Sequence, residues 1–127
     1  MPQSMNTKVD LVDDSTFFGG LNSYGKVMIG DNAFEYYNDR NVNDYVQIPW
    51  EVVDYIAAEV YRKGKYIPRY TIHVKTGGDY IFASKNPRAV LRACRNYVPE
   101  DRLVHSLTLA QTIKRNLKAR KEAKAAK

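Results

Sequence analysis

The chain has 127 residues, a single cysteine and a net charge of +6. This length predicts one domain with a real core, and one cysteine excludes an internal disulfide and a cysteine-based metal site. The sequence also contains no apolar run near the ~20 residues of a membrane-spanning helix, and its first residues lack the apolar core of an export signal. We therefore expect a soluble, cytoplasmic protein.

Short runs of alternating apolar and polar residues fill most of the first two thirds of the chain, a pattern typical of an antiparallel sheet. In one run Val27 and Ile29 share a face, while Lys26 and Met28 point the other way. Turn residues separate the runs, notably those at 30–32 and 76–78. Seven strands are predicted: TKVDLVD, YGKVMIG, AFEYYN, DYVQIPW, VVDYIAAEVY, RYTIHVK and DYIFA.

Two of these runs have ambiguous features. The apolar residues of VVDYIAAEVY also fit a helical stripe, but the frequent Val and Tyr and the missing helix cap favour a strand. Pro49 cannot donate a ladder hydrogen bond, so it suits a strand end or a sheet edge.

Helices are predicted only after the strands. Pro87 fits a first helical turn behind Ser84 or Asn86 as the cap, and PRAVLRACRNYV would cover an open end of the sheet. Its apolar side consists of Val90, Leu91, Cys94 and Tyr97. We expect Cys94 to be buried and inert. A second helix is predicted to begin near Ser106 or Thr108, because Thr108 and Gln111 have capping-box spacing.

Strands followed by a helix predict a mainly β, α+β domain of segregated layers. Seven strands closed by one helix is the order of a pleckstrin-homology-like antiparallel sandwich or barrel. We assign this domain to residues 1–105 and a basic C-terminal helix and tail to residues 106–127.

Four segments of the sequence resemble the ManO family, and together they cover about residues 5–118. They are QSMNTKVDLV, YGKVMIGDNAFEYYNDRNVNDYVQIPWEVVDYI, FASKNPRAVLRACRNYVP and LVHSLTLAQTIKRNLK. ManO proteins are small bacterial domains associated with mannose-family phosphotransferase operons. The resemblance implies a cytoplasmic accessory or regulatory protein of sugar uptake, and it implies no catalytic residues.

The positive charge is concentrated at the C-terminal end. Residues 1–110 contain 13 basic and 13 acidic side chains, whereas residues 111–127 contain seven basic side chains and only Glu122 as an acid. A basic segment that follows an apolar stripe is typical of a helix on an anionic membrane or an acidic partner. A solvated helix end is the alternative, because basic residues also favour helix C-termini.

Two smaller basic groups lie in the neutral part of the chain. One surrounds Gly64 in a predicted hairpin loop, and the other forms a ridge on the first helix, opposite its apolar side. Either group could instead be an ordinary soluble surface. With the tail, they supply the predicted partner-binding residues: Arg62, Lys63, Lys65, Arg69, Arg88, Arg92, Arg95, Lys114, Arg115, Lys118, Arg120 and Lys121.

The sequence contains no recognisable catalytic or cofactor motif. Metal-ligand pairs, glycine-rich phosphate loops and a nucleophile elbow are all missing, so we predict no enzyme activity, no cofactor and no metal. His73 and His105 are candidate phosphate acceptors, because phosphotransferase components relay phosphate through histidine. The polar loop NDRNVND, residues 38–44, is either a recognition loop or an ordinary turn.

Three functions remain open. The first is a non-catalytic adaptor or regulator that docks on the membrane subunits of a mannose-family permease, with a peripheral contact to the inner face of the cell membrane. The second is a nucleic-acid-binding regulator of the operon, which the neutral body and the missing helix-turn-helix disfavour. The third is a sensor of a small molecule or phosphosugar.

Overall fold

The computed structural model describes residues 3–106, and its elements follow the predicted order of strands before helix. The strands are β1 Val9–Gly19, β2 Leu21–Gly30, β3 Ala33–Asn38, β4 Tyr45–Pro49, β5 Val53–Glu59, β6 Tyr70–Val74, β7 Asp79–Ser84 and β8 Leu103–Ser106. The described part has one α-helix, α1, at Pro87–Cys94, and short 3-10 turns at Trp50–Val52, Arg62–Gly64 and Glu100–Arg102.

All eight described strands belong to one sheet, in the order β4-β3-β2-β1-β7-β6-β5-β8. Neighbouring strands are antiparallel except β5 and β8, which are parallel. Strand β1 connects strands β2–β4 with strands β5–β8, because it pairs with β2 along most of its length and with β7 through Ser15, Thr16 and Phe17. The prediction of a mainly β, α+β domain is confirmed. The barrel alternative is wrong, because β4 and β8 form two separate edges of the described sheet.

Turn chemistry explains why the strands pair with their sequence neighbours. The predicted turns at 30–32 and 76–78 both join antiparallel strands, and Gly77 has the positive φ of 101° that favours glycine. A third turn at Gly19–Gly20 was not predicted. It lets β1 run to Gly19 instead of ending near Asp13, so β1 is longer than the sequence indicated.

The core lies on one face of the sheet, and α1 covers it. Val27 and Ile29 are fully buried, while Lys26 is exposed and Met28 is partly exposed, so the predicted alternation is confirmed. Helix α1 adds Val90 and Cys94 to the same cluster. An aromatic group fills the centre, consisting of Phe17, Phe34, Tyr36, Tyr70 and Phe82.

The N-terminal segment covers part of the other face by binding a buried carboxylate. Glu35 has no solvent exposure, and it accepts hydrogen bonds from Ser4 Oγ at 2.5 Å, Met5 N at 2.9 Å and Asn6 Nδ2 at 2.8 Å. Tyr37 Oη and Gln47 Nε2 also donate to it. A buried carboxylate needs such donors, so this segment is part of the fold.

Other predicted element boundaries agree with the structure only in part. VVDYIAAEVY does form a strand, and Pro49 ends the edge strand β4, as predicted. The first helix ends at Cys94, one turn before the predicted Val98. Ser106, one of the two predicted starts of the second helix, is the last residue of β8. Thr108, the other predicted start, and the assigned C-terminal helix lie outside the described residues.

Candidate functional site

The connection between β5 and β6 is a tight loop that exposes several cations. Tyr61 and Tyr66 close it with two backbone hydrogen bonds of 2.8 and 3.2 Å. Arg62 and Lys63 lie at its tip with positive φ values of 52° and 56°, a conformation that is costly for residues other than glycine. The tight closure therefore presents Arg62, Lys63 and Lys65 to solvent.

The start of α1 is attached to β1. Asp13 is buried and accepts hydrogen bonds from the backbone N–H of Asn86 at 2.7 Å and from its side-chain Nδ2 at 3.0 Å. The backbone N–H of Lys85 donates to the carbonyl of Asp14 at 2.9 Å. These contacts fix the two residues before Pro87 and so determine where the first helical turn lies.

A basic cleft of about 340 Å³ lies between the β5–β6 loop and the first turns of α1. Of its eight described lining residues, four are cationic and none is acidic. The lining residues are Lys65, Ile67, Lys85, Asn86, Pro87, Arg88, Ala89 and Arg92. Because like charges concentrated in a concave surface raise the local positive potential, the cleft attracts anionic groups such as carboxylates and phosphates.

A second depression of about 320 Å³ shares Lys65, Ile67, Lys85 and Pro87 with the basic cleft and extends it toward the loop. Its lining includes Ser84, whose hydroxyl contacts Tyr70 Oη at 2.8 Å and Ser15 Oγ at 2.7 Å. Burial raises the pKa of Tyr70 far above its ordinary value. The phenol therefore stays protonated and acts as a rigid structural contact.

The structure brings together three of the predicted partner-binding residues, Lys65, Arg88 and Arg92, from two separate elements. Lys85 completes the cleft but was not predicted. Its position directly before the predicted helix start was the available signal, because a residue there lies beside the first helical turn.

The remaining predicted cations lie elsewhere. Arg69 forms an ion pair with Glu59, with Nε 3.2 Å from Oε2, and Arg95 lines an apolar groove that adjoins the cleft. The predicted tail cations Lys114, Arg115, Lys118, Arg120 and Lys121 lie outside the described residues.

His73 is held on the exposed part of the sheet by acidic neighbours. Its Nδ1 lies 2.5 Å from Asp79 Oδ1 and its Nε2 lies 3.9 Å from Asp54 Oδ2, while the ring stacks on Tyr55 at a centroid distance of 4.7 Å. Two carboxylates beside the ring disfavour an added phosphate group, because like charges repel. The side chain of His105 lies outside the described part.

The loop at residues 38–44 shows ordinary turn chemistry. Asn38 Oδ1 accepts backbone hydrogen bonds from Arg40 and Asn41, and Asn41 Oδ1 accepts one from Asn43. Asparagine commonly stabilises turns in this way. Within residues 3–106, no group of three or more His, Cys, Asp and Glu side chains is arranged to hold a metal ion.

Comparisons with known proteins supply a family and a structural neighbour. The family model described as Domain of unknown function (DUF956) matches residues 1–117. No curated protein matches the chain. A crystal structure of the C-terminal domain of an unknown protein from Leishmania infantum is similar at a TM-score of 0.61 and 5% identity, covering 71% of this chain and 83% of that one. At this identity, the likeness shows a shared fold alone. No helix within residues 3–106 has the length and apolar character needed to cross a bilayer.

Proposed function

We propose that this chain, which belongs to the DUF956 family of domains of unknown function, is a non-catalytic adaptor or regulator. Its basic cleft would hold an acidic segment of a protein partner. The observation that carries the proposal is the convergence of Lys65, Lys85, Arg88 and Arg92 on one concave surface, with no acidic residue in its described lining. Such a surface favours carboxylates through charge-assisted hydrogen bonds and faster association.

The resemblance to ManO supports a specific partner. It points to the membrane subunits of a mannose-family phosphotransferase permease, so the domain would act in the cytoplasm at the inner face of the membrane. We also propose that the fold is pleckstrin-homology-like, because strands β1–β4, strands β5–β7 and then a covering helix follow that order.

Capture from membranes tests the proposal. Detergent extracts of membranes that contain the permease are passed over the immobilised full chain and over a Lys65→Glu/Arg92→Glu variant. The matched control is Lys8→Glu/Lys75→Glu, because it makes the same charge change at exposed positions outside the cleft. We expect the wild type and the control to retain permease subunits and the cleft variant to lose them.

Two results would contradict this function. One is equal capture by all three proteins, and the other is capture by none. Vesicles of phosphatidylglycerol and phosphatidylcholine supply a further arm of the test. If protein-free anionic vesicles bind the wild type tightly and the cleft variant weakly, the ligand of the cleft is lipid and not protein.

The size of the cleft favours one second candidate. About 340 Å³ is within the range of small-molecule sites, and the four cations would suit a phosphate group. A phosphosugar sensor would bind a hexose phosphate in calorimetric titration and would not bind the unphosphorylated hexose. Equal absence of heat with both sugars would exclude this candidate.

A further inference from the structure

An apolar groove of about 200 Å³ lies beside the basic cleft. Its walls come from β5, α1 and β8. Its apolar lining includes Val60, Ile67, Leu91, Leu103 and Val104, and Arg95 is the single charged residue among the described lining residues. Val104 keeps 39% of its surface exposed on β8, so the groove is accessible to another molecule.

The groove and the basic cleft form one continuous surface. Ile67 lines both of them, and α1 is their shared wall. Along this helix, Arg88 and Arg92 line the cleft, whereas Leu91 and Arg95 line the groove. A ligand that spans both would therefore contact the cations of the cleft and an apolar recess that contains an arginine.

Three candidate occupants of the groove differ in their charge: the chain's own tail, a second copy and a different protein. Residues 111–127 carry seven basic side chains and one acidic side chain, so this part of the chain is repelled by Arg95 and by the adjacent basic cleft. Residues 107–113 are uncharged, and their binding to the groove is one outcome of the test. A second copy is repelled in the same way wherever its basic tail or its basic cleft faces this surface. An acidic segment from a different protein is attracted by all of these cations.

We infer that the groove receives an apolar side chain of the same acidic segment that the basic cleft holds. This inference rests on the proposed function and narrows its partner to a segment with carboxylates beside a leucine-sized anchor. The small volume suits one side chain and not a whole helix. Burial of one such side chain is expected to tighten binding by about tenfold or more.

Two labelled synthetic peptides test the inference by fluorescence anisotropy with the full chain. One has two leucines between blocks of three glutamates, and the other has two serines in their place. The groove variant is Val104→Asn, which is neutral and lies at an accessible position, and the control is Val42→Asn, which is 56% exposed on the β3–β4 loop. Thermal unfolding of each variant verifies that it is folded.

We expect the wild type and Val42→Asn to bind the leucine peptide about tenfold more tightly than the serine peptide. In Val104→Asn this difference should disappear, while the affinity for the serine peptide stays unchanged. The cleft variant Lys65→Glu/Arg92→Glu should weaken the binding of both peptides. This pattern separates the role of the groove from that of the cleft.

Other outcomes overturn the inference in distinguishable ways. If the wild type binds the two peptides with equal affinity, the inference is wrong and the proposed function still stands. If neither peptide binds, the result counts against the inference and against the proposed function. A dimer that Val104→Asn dissociates identifies a second copy in the groove. Changed amide resonances of residues 107–117 in that variant identify the chain's own segment. Loss of binding to phosphatidylglycerol vesicles in that variant identifies a membrane.

Discussion

Asp13 on β1 accepts hydrogen bonds from the backbone N–H and the side-chain amide of Asn86, at 2.7 and 3.0 Å. Asn86 is the cap residue of α1 but makes no capping hydrogen bond with its own side chain. A carboxylate 73 residues earlier in the chain therefore stabilises the entrance to the helix. Because Lys85 precedes and Arg88 follows this point, the same contact positions two cations of the basic cleft.

Replacement of Asp13 by alanine should destabilise the protein by about 1.5–3 kcal/mol, because a charged acceptor is lost and a buried N–H is left without its partner. Urea unfolding at pH 7 measures this effect. Asp14→Ala is the matched control, since its side chain is 65% exposed and its ion pair with Lys26 is long, at 3.6 Å. Such exposed pairs contribute about 0–1 kcal/mol, so equal effects of the two substitutions would contradict the assigned role of Asp13.

The pairing of β2 with β3 requires a glycine at position 25. A Cβ atom there would lie 2.0 Å from the backbone carbonyl oxygen of Tyr37, and a backbone atom cannot move away cheaply. Gly25→Ala should therefore cost about 1–3 kcal/mol or more. At Gly78 an added Cβ would meet nothing closer than 3.5 Å, so Gly78→Ala should stay within about 1 kcal/mol of the wild type. A wild-type melting temperature for Gly25→Ala would contradict the close approach of β3 to Gly25.

Attachment of the N-terminal segment should weaken in acid. Burial would raise the pKa of Glu35, but hydrogen bonds from Ser4, Tyr37 and the backbone of Met5 outweigh it and lower that pKa below the ordinary 4.5. A carboxyl with a lowered pKa in the folded state stabilises the fold fully above about pH 4.5, and this stability is lost as the pH falls through the lower value.

The free energy of unfolding, measured in urea from pH 7 to pH 3, tests this expectation. Glu35→Gln should lose about 1–3 kcal/mol at pH 7, because a neutral amide cannot accept the same set of hydrogen bonds. It should also show a smaller decrease below pH 4.5 than the wild type. The exposed Glu51→Gln serves as the control. An unchanged acid dependence in Glu35→Gln would show that another carboxyl is responsible.

Cys94 should be chemically silent in the folded protein. It is fully buried, and burial raises the pKa of its thiol to about 12. At pH 8 the thiolate fraction is then roughly a thousandfold below that of a free cysteine. A disulfide reagent should react slowly with the native chain and quickly after unfolding in urea. Thr76→Cys, at an exposed turn, should add one fast thiol. Rapid modification of the native wild type would contradict the burial of Cys94.

Local patterns in the sequence were sufficient to predict most strands and the turns between them. Val27 and Ile29 alternate with Lys26 and Met28 because successive side chains of a strand point to opposite faces. The strand at 53–59 was also predicted correctly against a helical alternative. The strand at 103–106 was missed, because it is only four residues long and gains its partner β5 from far away in the chain.

The candidate site was predictable only in part. Arg88 and Arg92 share a helix face, so their proximity followed from helical spacing. Their proximity to Lys65 could not be predicted, because the order of strands in the sheet brings the β5–β6 loop next to α1. Lys85 was missed although it lies just before the predicted helix, and the buried role of Glu35 depends on three residues that come about 30 positions earlier.

Alternation, turn residues and charge distribution thus established a mainly β domain with a covering helix and a basic C-terminal end, because these properties arise between residues close in the chain. The long-range arrangement established the rest: an open sheet with β1 at its junction, Asp13 at the start of α1, and a cleft and an adjoining groove that share that helix as a wall. The contact between Asp13 and Asn86, for example, joins residues 73 positions apart. The geometry of such contacts depends on how the whole sheet packs, and no short segment of the sequence carries that information.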